Sequence, residues 1–199
     1  MFISLIPKKK SISLFLCLNN VLAKPVIIVS KCLGFAHCRY NGLIITSEFV
    51  EQLKPFVEFH PVCPELEIGL GVPREPVRVV DSKGQMHLVQ PATGIDCTAK
   101  MQNFIERFLL AEKEIDGFLL KSRSPSCGIK DVKIFAGIEN NYTTRKAAGF
   151  FGNAVLTKYP QMPVEDEGRL INFKIREHFL TRIFTAVRFN KIRNLAKSM

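Results

Sequence analysis

Three apolar runs set the pattern of this chain, and each breaks off into a polar loop that carries a cysteine. Residues 26–30 read Val-Ile-Ile-Val-Ser and run into Cys32, Gly34 and Cys38. Residues 57–59 lead to Pro-Val-Cys-Pro-Glu at 61–65, and residues 117–122 lead to Arg-Ser-Pro-Ser-Cys-Gly at 123–128. Short apolar runs punctuated by glycine and proline are the signature of strands buried on both faces, as in a parallel sheet. Helical spacing fills the intervals. Ser47 caps a helix carrying Phe49, Val50 and Leu53, which Pro55 ends. Asp96 or Thr98 caps a longer one to about residue 114, with Met101, Phe104, Ile105, Phe108 and Leu109 as its buried stripe.

Residues 77–80 and 86–89, joined through Asp-Ser-Lys-Gly, predict a short β-hairpin at the periphery. A strand over 132–135 and a helix over 146–159 follow. The chain then returns extended to a last helix from Gly168 to about Val187, with Glu165, Asp166 and Glu167 at its start, where negative charge suits the helix dipole. The fold class is α/β: a Rossmann-like parallel sheet with flanking helices, a small β-hairpin and a C-terminal helix. Residues 67–76 hold Gly69, Gly71, Pro73 and Pro76, and read as a loop able to fold over a site.

Composition narrows the function classes. With 47% hydrophobic and 23% charged residues, the 199-residue chain is globular. Its net charge of +10 is concentrated in the tails, at Lys8 to Lys10 and at Arg188, Lys191, Arg193 and Lys197. Without those seven the body carries +3, so no basic face for nucleic acid is indicated. Six cysteines without short paired spacing point to a reducing cytoplasm rather than a disulfide framework. Residues 1–23 imitate a secretory signal, but their apolar stretch is short and runs into Asn19-Asn20, so they read as a disordered or misassigned start. No run is long enough to span a bilayer. The last helix, with Leu170, Phe173, Ile175, Phe179, Ile183, Phe184 and Val187, carries more apolar surface than one docking face needs, which predicts self-association through it.

If the three strands are parallel neighbours, Cys32, Cys63 and Cys127 meet at one sheet edge. That edge is where ligands bind in open α/β sheets. A lone free cysteine is ordinarily a small buried hydrophobe, but three at equivalent strand ends suggest a metal centre. Three thiolates can hold a 4Fe-4S cluster and leave one iron open as a Lewis acid. A second arrangement is zinc on Cys32, Cys38, Cys63 and Cys127, or with His37 or His60 replacing one of them. A third is a cysteine nucleophile with His37, His60, His87 or His178 as base. Glu65 and the hydroxyls of Ser122, Ser124 and Ser126 lie close to the thiols as proton carriers, with Lys121 and Arg123 able to neutralise an anion. The structural alternatives are a helix cap or an ion pair with Arg74 for Glu65, and a local turn bond for Ser124.

Cys-Leu-Gly and Cys-Arg-Tyr-Asn-Gly (within 32–42), Pro-Val-Cys-Pro-Glu (61–65), Thr-Gly-Ile-Asp (93–96) and Lys-Ser-Arg-Ser-Pro-Ser-Cys-Gly (121–128) together resemble domain-of-unknown-function family 523, which includes thiouracil desulfidases. The resemblance spans about 24–163. Gly-Leu-Gly-Val-Pro-Arg (69–74) and Glu-Asp-Glu-Gly-Arg-Leu (165–170) are similar to longer members, in which a helical domain of family 1722 follows. The resemblance therefore divides the chain into an N-terminal extension (1–23), a cysteine-rich α/β domain (24–164) and a truncated start of the helical domain with a basic tail (165–199). It implies a 4Fe-4S cluster on Cys32, Cys63 and Cys127, with Cys38 beside the cluster rather than on it. It further implies Glu65 and Ser124 as proton movers, a small thiolated base as substrate, and sulfur replaced by water oxygen without net redox.

Overall fold

The computed structural model describes residues 24–112, 114–139 and 142–197, with side chains to residue 189. The signal-like stretch 1–23, Cys17 and the basic side chains beyond residue 189 lie outside what it describes. Strand β1 (Val26–Ser30) is followed by helix α1 (Glu48–Leu53), strand β2 (Glu58–Val62) and the one-turn helix α2 (Pro64–Glu67). Next come β3 (Arg78–Ser82), β4 (Gln85–Gln90), β5 (Ile95–Asp96), α3 (Thr98–Ala111) and β6 (Gly117–Leu120). The chain ends with β7 (Val132–Phe135), β8 (Thr143–Ala147), α4 (Phe150–Lys158), β9 (Val164–Asp166), a 3-10 turn (Arg169–Ile171) and α5 (Phe173–Lys197).

Four strands form a parallel sheet in the order β2-β1-β6-β9. Its centre is the most apolar part of the chain. Ile27, Ile28, Val29, Phe118, Leu119 and Leu120 are all fully buried, as strands covered on both faces must be. From β1 the chain moves out to β2 and later crosses to β6 on the other side of β1, so strand order reverses between β1 and β6. Ser30 marks that point, its hydroxyl accepting the Lys121 backbone N–H at 2.8 Å.

The hairpin is larger in role than its sequence suggests. It is the middle of a second sheet, β5-β4-β3-β7-β8, in which β3 also pairs in parallel with β7. The periphery is ruled out by Val79, Val80, Leu88 and Val89, all of which are buried, several of them against the α3 stripe and Ile134. The turn is as read: Lys83 and Gly84 take positive φ, and Asp81 Oδ1 accepts the Gly84 N–H at 2.8 Å.

Two further elements differ from the expectation. The helix expected over 146–159 begins only at Phe150, because Lys146 and Ala147 belong to β8, which pairs antiparallel with β7. The acids at 165–167 do not start a helix. Val164 to Asp166 form the edge strand beside β6, and α5 begins after Asn172, whose Oδ1 accepts the Lys174 N–H at 3.0 Å.

One face of the parallel sheet packs on α3 and α4 through Met101, Phe104, Phe151 and Val155. The other packs on α1 and α5, where Leu170, Phe179, Ile183 and Phe184 meet Ile27, Val29, Leu119 and Val50. Much of the apolar surface of α5 is thus used within the chain, while Phe173 and Phe189 remain exposed. Phe179 is 1% exposed. Phe179→Ala should therefore cost about 3–5 kcal/mol, read as a lowered urea midpoint with an unchanged slope. A loss within about 0.5 kcal/mol would show that α5 does not cover the sheet. No helix among the described residues is long and apolar enough to cross a membrane.

Candidate active site

Cys32 and Cys63 lie within two residues of the carboxyl ends of β1 and β2, and Cys127 lies in the loop that leaves the carboxyl end of β6, in a sheet whose strand order reverses between β1 and β6. Cys32 lies in a tight turn held by Ala36 N–H donating to Lys31 C=O at 3.0 Å, and the Lys31 N–H bonds Val62 C=O at 2.8 Å. The ends of β1 and β2 are thereby fixed to each other. Gly34 completes the turn at φ +89°, and a Cβ there would lie 2.8 Å from Glu51 Oε1. Cys63 precedes α2, whose first residue is Pro64, a position where a missing N–H costs nothing.

The Cys127 loop lies flat on the N-terminus of α4. N–H groups of Gly149, Phe150 and Gly152 donate to the carbonyls of Gly128, Pro125 and Ser126 at 2.8, 3.2 and 3.1 Å. The orphan donors of the helix end are met by the loop itself. Contact this close requires glycine, since a Cβ on Gly152 would stand 2.3 Å from Gly128 O. At the root of the loop, Glu167 accepts from Ser122 N–H at 2.7 Å and Ser122 Oγ at 2.6 Å, and pairs with Lys121. Lys121, which the sequence offered as a partner for an anion in the site, is already neutralised.

The thiols are linked in a row. The Cys38 thiol engages those of Cys32 and Cys63, Cys63 Sγ also reaches Cys38 C=O at 3.8 Å, and Cys127 feels Cys63 electrostatically. Cys38 and Cys127 are buried, while Cys32 and Cys63 are half-buried. Among the described residues no three His, Cys, Asp or Glu side chains close tightly enough on one point to hold a single metal ion. Cys97 is buried at the start of α3, in the same core cluster as Cys127, and is not one of the thiols in the row.

Crowding and burial keep the thiols of Cys38, Cys63 and Cys127 protonated. Burial pushes Cys127 up to about 12 from an ordinary 9.0, with the Ser30 and Ser124 hydroxyls acting the other way. Cys38 rises to about 11, chiefly through its bond with Cys32, and Cys63 rises through its bond with Cys38 and then through burial. Metal loading must therefore displace protons. For a raised pKa the stability contribution is complete below the unfolded value and is lost as pH climbs through the folded one. The metal-free chain should hold its urea midpoint up to about pH 9 and lose it between about pH 9 and 11, with Cys38→Ser flattening the fall. A midpoint that rises over that range would contradict these environments.

Glu65 is almost enclosed. Its Oε2 accepts from Arg74 Nη2 at 2.6 Å and Nε at 3.1 Å, and its Oε1 accepts from Ser126 Oγ at 3.0 Å. Ser124 Oγ accepts the N–H groups of Ser126 and Cys127 at 3.3 and 3.0 Å, a local turn, and its hydroxyl also reaches the Cys127 sulfur. The ion pair with Arg74 and the local turn bond foreseen for these residues are both present. Ser126, not Ser124, bonds Glu65, and Arg74 anchors it. Ser30, which was not singled out from sequence, reaches Cys127. A serine ending an otherwise apolar buried strand was the available signal for Ser30. The histidines are engaged elsewhere: His37 with Gly42 C=O, His60 with Glu58 and Glu112, His87 with Asp96, and His178 lies exposed on α5. A cavity of about 500 Å³ behind the Gly149 turn, lined by Val79, Met86, Ile105, Ile134 and Phe150, contains none of the thiols.

The profile of the family described as 2-thiouracil desulfurase matches residues 27–167, from β1 to just past β9. The chain belongs to that family. It is 36% identical over 110 residues to the uncharacterized protein YbbK of Bacillus subtilis (strain 168), covering 52% of this chain and 73% of YbbK. Its fold is similar to the solved structure of a [4Fe-4S]-dependent thiouracil desulfidase, TudS, with TM-score 0.55 and 31% identity over 74% of this chain and 93% of TudS. All the thiols in the row and Glu65, Arg74, Ser124 and Ser126 fall within the span that marks this chain as a 2-thiouracil desulfurase family member.

Proposed function

We propose that this chain is a 4Fe-4S-dependent desulfidase that hydrolytically removes sulfur from a thiolated nucleobase such as thiouracil. Cys32, Cys63 and Cys127 are its cluster ligands, and Glu65 and Ser124 handle protons. The observation that carries this reading is the convergence of thiols from three separate strand ends on the switch point of the sheet, in a member of this family. The donor set fits the group. It is all sulfur, which suits iron–sulfur chemistry. When bound, such a cluster supplies an iron without a protein ligand, a Lewis acid suited to a thiocarbonyl sulfur.

The reaction balances without an oxidant or reductant: water oxygen replaces sulfur at carbon, and the sulfur leaves as hydrogen sulfide. Glu65 takes a proton from the attacking water at Oε1, since Oε2 already carries two bonds from Arg74. Ser124, whose hydroxyl adjoins the Cys127 sulfur, passes a proton toward the departing sulfur. Ser126 steadies the carboxylate from the Cys127 side. A reducing cytoplasm is the compartment that suits free thiols of this kind.

Anaerobic reconstitution with iron and sulfide, followed by sulfide release across a panel of thiolated pyrimidines, tests this reading. A brown protein that releases sulfide from at least one of them is the expected result. A colourless protein that retains zinc and releases none would instead identify a metal-binding interaction module.

A further inference from the structure

We infer that Arg74 is a positioning residue for Glu65, selecting which carboxylate oxygen works and joining the thiol-bearing segments into one frame; this rests on the desulfidase reading. Arg74 comes from the glycine- and proline-rich loop that follows α2, and its side chain is 6% exposed. All of its guanidinium nitrogens are occupied. Nε and Nη2 share Oε2 of Glu65, while Nη1 donates to Cys38 C=O at 3.0 Å and Gly71 C=O at 3.1 Å. Its backbone N–H donates to Tyr40 C=O at 2.8 Å.

Two nitrogens on one oxygen leave Oε1 as the oxygen turned toward Ser126 and the Cys127 loop. One side chain thus touches the Cys38 segment directly and the Cys63 segment through Glu65. Through Glu65 and Ser126 it also reaches the Cys127 segment. Stability alone does not call for such an arrangement, because a buried ion pair is often matched or exceeded by apolar residues of the same volume. What an apolar pair cannot do is fix the rotation of a carboxylate. Lysine cannot do it fully either, being a point charge without the planar fork.

The test compares wild type, Arg74→Lys, Arg74→Met, Glu65→Gln and the Glu65→Gln/Arg74→Lys double variant. Each is assayed for iron per chain after reconstitution, thermal unfolding of the cluster-free chain, and kcat and KM for thiouracil. Arg74→Lys should load iron to the wild-type level, melt cooperatively and keep its KM, yet lose about 100-fold in kcat, the cost of a misplaced catalytic group. Arg74→Met should lose more; if it does not fold, the lysine variant decides. The double variant should be no slower than Glu65→Gln alone, since Arg74 acts through Glu65. Wild-type kcat in Arg74→Lys, a loss that merely follows iron content, or additive losses in the double variant would each overturn the inference. If wild type itself releases no sulfide from any thiolated base, the desulfidase reading falls and takes this inference with it. An active wild type indifferent to Arg74 overturns this inference alone.

Discussion

Serine in place of Cys127 is expected to give a folded, colourless protein that retains almost no iron after anaerobic reconstitution. The side chain is 5% exposed and hydrogen-bonded by the Ser30 and Ser124 hydroxyls, so a hydroxyl of similar size can keep its neighbours and the loop its seat on α4. The stability change should be about 1 kcal/mol or less. The change in metal affinity is of another order, because a hard, neutral hydroxyl replaces a soft thiolate. Iron per chain and the visible absorbance band read the loss of metal, and the urea midpoint reads the stability change. The same substitution at Cys97, buried at the start of α3 and not among the linked thiols, should leave the protein brown. If the Cys127 variant keeps wild-type iron, the cluster is held by other residues.

Glu65→Gln should separate binding from turnover. Iron content is expected to match wild type, while kcat falls by about 100- to 10,000-fold, the range for losing a general base. The variant should also be less stable by about 2–3 kcal/mol, because the guanidinium of Arg74, 6% exposed, loses its only carboxylate partner among the described residues. A glutamine oxygen can still accept one bond, which keeps the loss below that of removing the side chain. Steady-state kinetics at matched iron content, with thermal unfolding alongside, checks both effects. Turnover at the wild-type rate would remove Glu65 from proton transfer.

The two effects explain what could be read from the chain before its fold. The strands that lead to Cys32, Cys63 and Cys127 were legible because a strand buried on both faces must be a short apolar run, and the loops after them carry the breakers Gly34, Pro64 and Gly128. The α3 stripe was legible for the same reason at helical spacing. Two strands were not. Thr143 to Ala147 is polar, with side chains left half-buried or exposed, so local composition carries no strand signal and the pairing with β7 alone creates it. Glu165 to Glu167 look like the acidic first turn of a helix, yet the ladder with β6 wins over that local preference. Within the site, sequence spacing pointed to the right loop but not to the right hydroxyl. Ser124 and Ser126 are two residues apart, and only the turn closed by Ser124 Oγ sends Ser126, fully buried, toward Glu65. Arg74 was visible only as a possible ion pair, since its contact with Cys38 C=O spans 36 residues.

The central claim is that these strand-end thiols hold one cluster and leave a coordination position on it vacant. Mössbauer spectroscopy of protein reconstituted with iron-57, recorded with and without thiouracil, addresses that claim most directly. The account predicts four irons per chain, one of which changes its spectrum when thiouracil is added while the other three do not. A protein that binds no iron, or whose irons all ignore the thiolated base, would contradict it.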